Sequence, residues 1–396
     1  MRSSVFSVDL KEDSSHRMAS KKSGTGFSLK DQLFNSERVH YLAGLFHAAN
    51  DGFDKASFIQ ATVKRFSKLE LKERIVHIAS ILEDHLSPDY RVAAKQIADA
   101  LPPPLDPTNT DDDFGDFIFM PLGEFVVRNG LAKEHLKLSL KTLKILTQRV
   151  SMEDAIRAFI NTHTAETMNE LQKWSTDRHY HVRRLVSEGT RPLLPWSKRL
   201  TIEPTVAIPL LDTLHADSTR FVTRSVSNHL NDVAKSHPKV VMSTLERWKN
   251  QNKQNATELD WMSKNALRTL VKQGNSQALK FLGFRSNPKI EVSKFSVKRS
   301  RLKPGDAIEF SFTVTAMRDE ALMVDFVIDF VKANGKLSPK VHKLKQIRLS
   351  KGQSTNVVKR HVLRANATTY TLYPGTHHLT LQINGKAFGS DCFELQ

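Results

Sequence analysis

Three segments of this chain, HVRRLV, FVTRSV and WMSKNAL, place Val182, Val222 and Met262 in similar surroundings, 40 residues apart each time. A fixed period of that length predicts stacked helical hairpins, in which each repeat buries its apolar face against its neighbours and cannot do so alone. The basic residue two places on recurs in phase, as Arg184, Arg224 and Lys264. Equivalent positions of a solenoid line up on one surface, so these three are expected to form a row along its concave side. A single cation on a helix face is ordinary decoration; a row in phase with the repeat suits a phosphate backbone.

The segments before the repeat are also helical in pattern. LKDQLFNSERVHYLAGLFHAA, FDKASFIQATVKRF and LELKERIVHIASILEDHL carry apolar residues three and four apart, broken by turns such as Asn50-Asp51-Gly52 and Ser87-Pro88-Asp89. Pro102, Pro103, Pro104 and Pro107, followed by Asp111, Asp112 and Asp113, predict an exposed loop. Consecutive aspartates point in different directions, so this run reads as solvated loop and not as a ligand set.

Near Phe284 the period changes from helical to alternating. VSKFSV, DAIEFSFTVTA, LMVDFVIDFVK, KQIRLS, STNVVKRHVL and HLTLQI read as strands, with turns at Lys303-Pro304-Gly305, Ala333-Asn334-Gly335, Lys351-Gly352, Tyr373-Pro374-Gly375 and Asn384-Gly385. About seven short strands in such a stretch describe an immunoglobulin-like sandwich. The expected organisation is therefore a tail over 1–26, an all-α HEAT-like solenoid over 27–285 and an all-β sandwich over 288–396.

Charge narrows the class of partner. The chain has 59 Lys and Arg against 42 Asp and Glu, a net charge of +17, and residues 288–396 alone hold 18 against 9. A polyanion is the natural partner, and nucleic acid is the commonest one for a basic chain without spanning apolar runs or lipidation signals. Cys392, the single cysteine, excludes an intramolecular disulfide and a cysteine zinc site. Residues 1–26 lack a signal-peptide core, so a disordered tail and a cytoplasmic protein are expected; the chain is read as a monomer.

The richest stretch for chemistry is WSTDRHYHVRRLVSEGTRPLLPW, Trp174 to Trp196. Ser175 or Asp177 is placed to cap a helix through HVRRLVSE, and Gly189 to end it. On that helix Arg184 and Glu188 lie at i and i+4, on one face. A second carboxylate, Glu153 in SMEDAIRAF, falls in the first turn of a helix that Ser151 would cap, where an acid also serves the helix dipole. No P-loop, GxGxxG, HExxH or EF-hand pattern stands in a fitting context, and the 16 histidines show no ligand spacing; His179, His181, His377 and His378 read as surface or packing residues.

WSTDRHYHVRRLVSEGTRPLLPW resembles the signature of the AlkC branch of DNA alkylation-repair glycosylases. FSLKDQLFNSERV, DFGDFIFMPLGEFV, LTQRVSMEDAIRAF, DSTRFVTRSVSNHLND and ALRTLVKQG resemble further segments of that family in the same order, covering about residues 27 to 283. The resemblance implies a solenoid like that of AlkD, an immunoglobulin-like domain found in some members, and removal of cationic N-methylated bases such as 3-methyladenine and 3-methylcytosine without deep base flipping. It implies catalytic roles for Glu153 and Glu188 with Arg184 as their partner, no metal or cofactor, and alkylated double-stranded DNA as substrate. Arg183, Arg191, Arg220, Arg224, Lys264 and Arg268 are the expected DNA contacts, and Trp174 and Trp196 the candidates for touching the lesion or its sugar. A rival reading from another class is a non-catalytic scaffold, in which the cations bind phosphate or protein and the glutamates only serve their helices.

Overall fold

In the computed structural model the described residues are 28–111, 114–365, 367 and 370–396. The expected tail over 1–26, and Asp112 and Asp113 of the acidic run, lie outside them.

Helices occupy the chain from Leu29 to Phe281, and strands occupy it from Ile290 to Leu395. Local chemistry sets many of the helix starts. Asn35, Asp54, Asp89, Asn255 and Asn275 each accept a backbone N–H of the first turn that follows, and Glu70 and Glu73 form a reciprocal capping box. The 40-residue period becomes three stacked helices, Tyr180–Gly189, Arg220–Val233 and Ala256–Ala266, with the middle one packed against both others. Val182, Val222 and Met262 are each fully buried between them, as repeat-forming positions must be. One apolar core runs the length of the solenoid, from Phe34 to Phe284.

The Tyr180–Gly189 helix is capped differently from the expectation. His179 is its N-cap and accepts the His181 N–H through its ring, while Asp177 accepts the N–H of His179 itself and Ser175 closes the preceding helix. Gly189 is the last helical residue, not the exit: a Cβ there would stand 2.5 Å from the Ile156 Cγ2. It is the close approach of two helices that requires glycine.

The β half has strands β1 (Ile290–Val297), β2 (Arg301–Leu302), β3 (Ala307–Ala316), β4 (Glu320–Val331), β5 (Leu337–Leu349), β6 (Ser354–Val362), β7 (Gly375–Ile383) and β8 (Lys386–Leu395). They form two sheets, β1-β3-β6 and β2-β8-β7-β4-β5, closed over Phe310, Phe312, Phe326, Leu381 and Phe393. The alternation read in β3 is complete, every second residue being buried. Two strands were less legible. β5 starts earlier than KQIRLS because an edge strand tolerates Pro339 and outward lysines, and β8 carries Gly389, Ser390 and Asp391 where an apolar alternate would mark a strand.

The two halves meet at the β7–β8 turn. Gly274 and Gly385 touch through their backbones, so that a Cβ on either would fall within 2.9 Å of the other residue. Beside them the Asn384 side chain donates to the carbonyls of Arg285 and Ala321 and accepts the Met323 N–H, at 2.9, 3.1 and 2.7 Å. Met323 itself belongs to the apolar core of the solenoid. The sandwich is thereby fixed to the end of the helical stack by a polar clasp and an inserted apolar side chain.

Candidate active site

Glu153 is delivered by the turn that precedes helix Ala155–Thr162, not by the first turn of the helix. Ser151 does not cap that helix. Its hydroxyl donates to Glu153 Oε2 and accepts from Arg184 Nη1 at 2.8 Å. The same Nη1 donates to Glu153 Oε2 at 3.0 Å, so Arg184 binds the serine and the carboxylate together. The Arg184 guanidinium lies 4.4 Å from the centre of the Phe221 ring and 6.0 Å from that of Phe114. Flat aromatic faces hold a planar cation without neutralising it.

Glu188 lies deeper. Its Oε1 accepts from Arg191 Nη1 at 2.6 Å and its Oε2 from Ser225 Oγ at 2.6 Å, while Arg184 Nη2 stands 3.9 Å away. The side chain is 7% exposed, against 26% for Glu153. Burial works to raise the Glu188 pKa, but Arg184 and Arg191, with the Ser225 and Arg191 hydrogen bonds, outweigh it and hold the carboxyl below its usual range. Glu188 is therefore an ionised acid in a largely dry setting. Arg191 is fixed in turn by Asp232, at 2.9 Å, which also receives Lys235.

The structure separates the expected DNA contacts into two sets. Arg183 and Arg191 are internal: Arg183 is paired with Asp217 and bonded to the carbonyls of Asp177 and Arg178, and Arg191 is spent on Glu188 and Asp232, with side-chain exposures of 16% and 11%. Both tie neighbouring repeats together, and Arg224, with a side-chain exposure of 12% beside Asp111, is as enclosed as they are. Arg220 is more open, paired with Glu258 and lying over the Trp261 ring at 4.0 Å. Arg224 pairs with Asp111, Lys264 with Asp260, and Arg268 donates to Asn265. Arg184, Arg224 and Lys264 do sit on adjacent stacked helices, and their side-chain exposure rises along the row, 9%, 12% and 39%.

The proline-rich segment proves to be a loop laid across this face. Leu105 and Pro102 bond to Gln148 and Arg149, the Thr110 carbonyl accepts the Phe221 N–H, and Asp111 reaches Arg224. The two tryptophans differ completely. Trp174 is 1% exposed with its indole N–H given to Glu170, so it is a core residue and not a lesion contact. Trp196 is 86% exposed. His179, His181 and His377 are buried packing residues, and His378 is exposed.

Ser225 and Asp232 have no part in the sequence reading, and Ser151 enters it only as a helix cap. Ser225 had a signal: it occupies the repeat position of Leu185, and a serine in place of a buried leucine needs a hydrogen-bond partner. Among the described residues no group of three or more His, Cys, Asp or Glu side chains is placed to hold a metal ion, and no helix is long and apolar enough to cross a membrane.

Residues 291–396 match the family model described as "Uncharacterised protein YhaZ, C-terminal Ig-like domain". Over 368 residues, 92% of this chain and 98% of the relative, the sequence is 30% identical to the "Uncharacterized protein YhaZ" of Bacillus subtilis (strain 168). The structure is similar to that of the Pseudomonas fluorescens alkylpurine DNA glycosylase AlkC bound to DNA containing an abasic site analog. That similarity has a TM-score of 0.84 and 32% identity, and covers 93% of this chain and 100% of the other.

Proposed function

Because this chain belongs to the AlkC family of DNA alkylation-repair glycosylases, with YhaZ among its relatives, we propose that it excises cationic N-methylated bases from duplex DNA. The observation that carries the reading is the Arg184 guanidinium set between two carboxylates from different elements, one partly exposed and one buried. The proposed substrates are 3-methyladenine and 3-methylcytosine. In these the base already bears positive charge, so the C1′–N bond breaks with its electron pair passing to the base, which leaves neutral and needs no general acid. The positive charge that develops on the sugar is what the protein must stabilise.

In this reading Glu153, the more accessible acid, lies beside the sugar and holds the attacking water, taking its proton as the C1′–O bond forms. Glu188 supplies fixed negative charge from below, where low dielectric strengthens it. Arg184 orients Glu153 and, with Arg191, keeps Glu188 ionised. Arg220, Arg224, Lys264 and Arg268 are proposed to take phosphates, with the basic sandwich as a second DNA-binding surface, and Trp196 to meet the lesion or its sugar. No cofactor enters this chemistry, and the chain is proposed to act as a monomer on chromosomal DNA in the cytoplasm.

The test is chromatography of bases released from methylated duplex DNA by the purified chain. Free 3-methyladenine or 3-methylcytosine supports the reading. Tight binding of the same DNA without release of any base replaces it with the scaffold.

A further inference from the structure

Trp196 has backbone φ 70°, in the left-handed region that a bulky side chain rarely enters. A residue held there costs on the order of 1–3 kcal/mol and persists only where its surroundings over-determine it. Three side chains do so here. Arg157, 1% exposed, donates from Nη1 to the carbonyls of Gly189 and Arg191 at 3.1 and 2.8 Å, and from Nε to the carbonyl of Lys198 at 2.6 Å. One guanidinium thus joins the two ends of the segment whose tip is Trp196. One turn further along the same helix, Asn161 donates to the Arg199 carbonyl at 2.9 Å and accepts the Thr201 N–H at 3.0 Å. Lys72, from helix Leu71–His85, donates to the carbonyl of Trp196 itself and lies 4.0 Å from Asp154 Oδ2.

These bonds tie Trp196 to the part of the chain that delivers Glu153. Arg157 lies four residues after Glu153, and Lys72 bridges from Trp196 to Asp154, the next residue. All three Arg157 acceptors are backbone carbonyls, so its charge is compensated only at longer range, by Asp154, Glu153 and Glu188. A buried cation placed this way is a costly means of holding a loop. What it supplies is geometry: a planar fork with several donors in fixed directions.

We infer that Arg157 is a positioning residue for base excision, holding the 189–199 loop so that the exposed Trp196 indole stands in register with Glu153. The inference rests on the reading of this chain as a glycosylase in which Trp196 meets damaged DNA. Asn161 and Lys72 complete the clasp. A small displacement of a positioned group lowers the rate of the chemical step far more than it weakens binding.

The experiment is a double-mutant cycle on the full chain, using Arg157→Lys, Trp196→Ala and the pair, read as single-turnover release of 3-methyladenine and as affinity for abasic-site duplex. Arg157→Lys keeps the charge but cannot span three carbonyls. It is expected to slow release by about tenfold or more with affinity changed less than about threefold. On the Trp196→Ala background it should cost nothing further, because the group it positions is gone. Trypsin should also cut faster after Lys198 and Arg199 in Arg157→Lys. If Arg157→Lys does not fold, Asn161→Ala, whose bonds lie at the surface, carries the same cycle with a smaller loss. Losses that multiply in the pair, with trypsin cleavage unchanged, would overturn the positioning role while leaving Trp196 in the reaction. Full release by Trp196→Ala would instead remove Trp196 from the reaction, and Arg157 with it. Absence of release by the parent protein would refute the glycosylase reading itself.

Discussion

Arg184 bonds to Glu153, 31 residues away in sequence, at 3.0 Å, and stands 3.9 Å from Glu188, its neighbour one helical turn on. The i,i+4 spacing puts both residues on one face, yet the short bond goes across elements. Two competing partners explain this. Arg191 and Ser225 already occupy the Glu188 oxygens, and the Phe221 ring fixes the guanidinium in the direction of Ser151 and Glu153.

Replacing Arg184 should therefore affect Glu153 first. Arg184→Met is expected to lower base release by about 10²–10³-fold, the usual cost of removing one preorganised electrostatic group. Glu188 keeps Arg191 and Ser225, so the fold should survive. Single-turnover release beside a thermal melt checks both halves of the statement.

Arg191 should behave as a structural cation. Arg191→Met leaves Glu188 and Asp232 buried without their shared partner, and is expected to cost about 3–5 kcal/mol in urea unfolding. Lys264→Ala, by contrast, should leave stability unchanged within about 0.5 kcal/mol. It should also weaken DNA binding and lower its salt slope by about one unit.

Acid should destabilise the chain through its buried histidines. Burial depresses His181 and His342 to about 3 and His229 and His361 to about 4, below the ordinary 6.5. Between those values the unfolded chain binds protons that the folded one refuses, so this stability is complete above pH 6.5 and is lost as pH falls through that window. Asp325 acts in the opposite sense, since burial raises its carboxyl to about 6 and the folded chain then takes up a proton first. Four groups against one leave a net loss of stability on acidification, measurable as a falling melting temperature between pH 7 and pH 5.

What could be read in the sequence was whatever repeats. The period of 40 placed Val182, Val222 and Met262 in the core, and the alternation of DAIEFSFTVTA gave β3 with its faces in register. Arg184 and Glu188 stood out by their helical spacing and Glu153 as an acid at a helix start, their catalytic roles came from motif resemblance, and the structure brings the three together. Partner choice was not legible. Arg183, Arg191 and Arg224 are enclosed by carboxylates distant in sequence, Asp217, Asp232 and Asp111, whereas Lys264 is paired with Asp260 on its own helix and stays open. Nor could burial be read for the two tryptophans that bound one motif, since it depends on which side of the stack each one faces.

The junction between the halves offers a further check. Gly274 and Gly385 have φ of 72° and 79°, and each excludes a Cβ on its partner's side. Gly385→Ala should cost about 1–3 kcal/mol through strain at the turn and separate the sandwich from the solenoid. If the sandwich is the second DNA-binding surface, affinity for duplex falls while each half keeps its circular dichroism signature.

The most direct test of the central claim compares the parent chain with Glu153→Gln and Glu188→Gln on one methylated duplex, measuring released base and bound DNA in the same samples. The account predicts that both variants bind the duplex about as tightly as the parent and that base release falls by two orders of magnitude or more, about 10²-fold at the least. Release at the parent rate by both variants would contradict it.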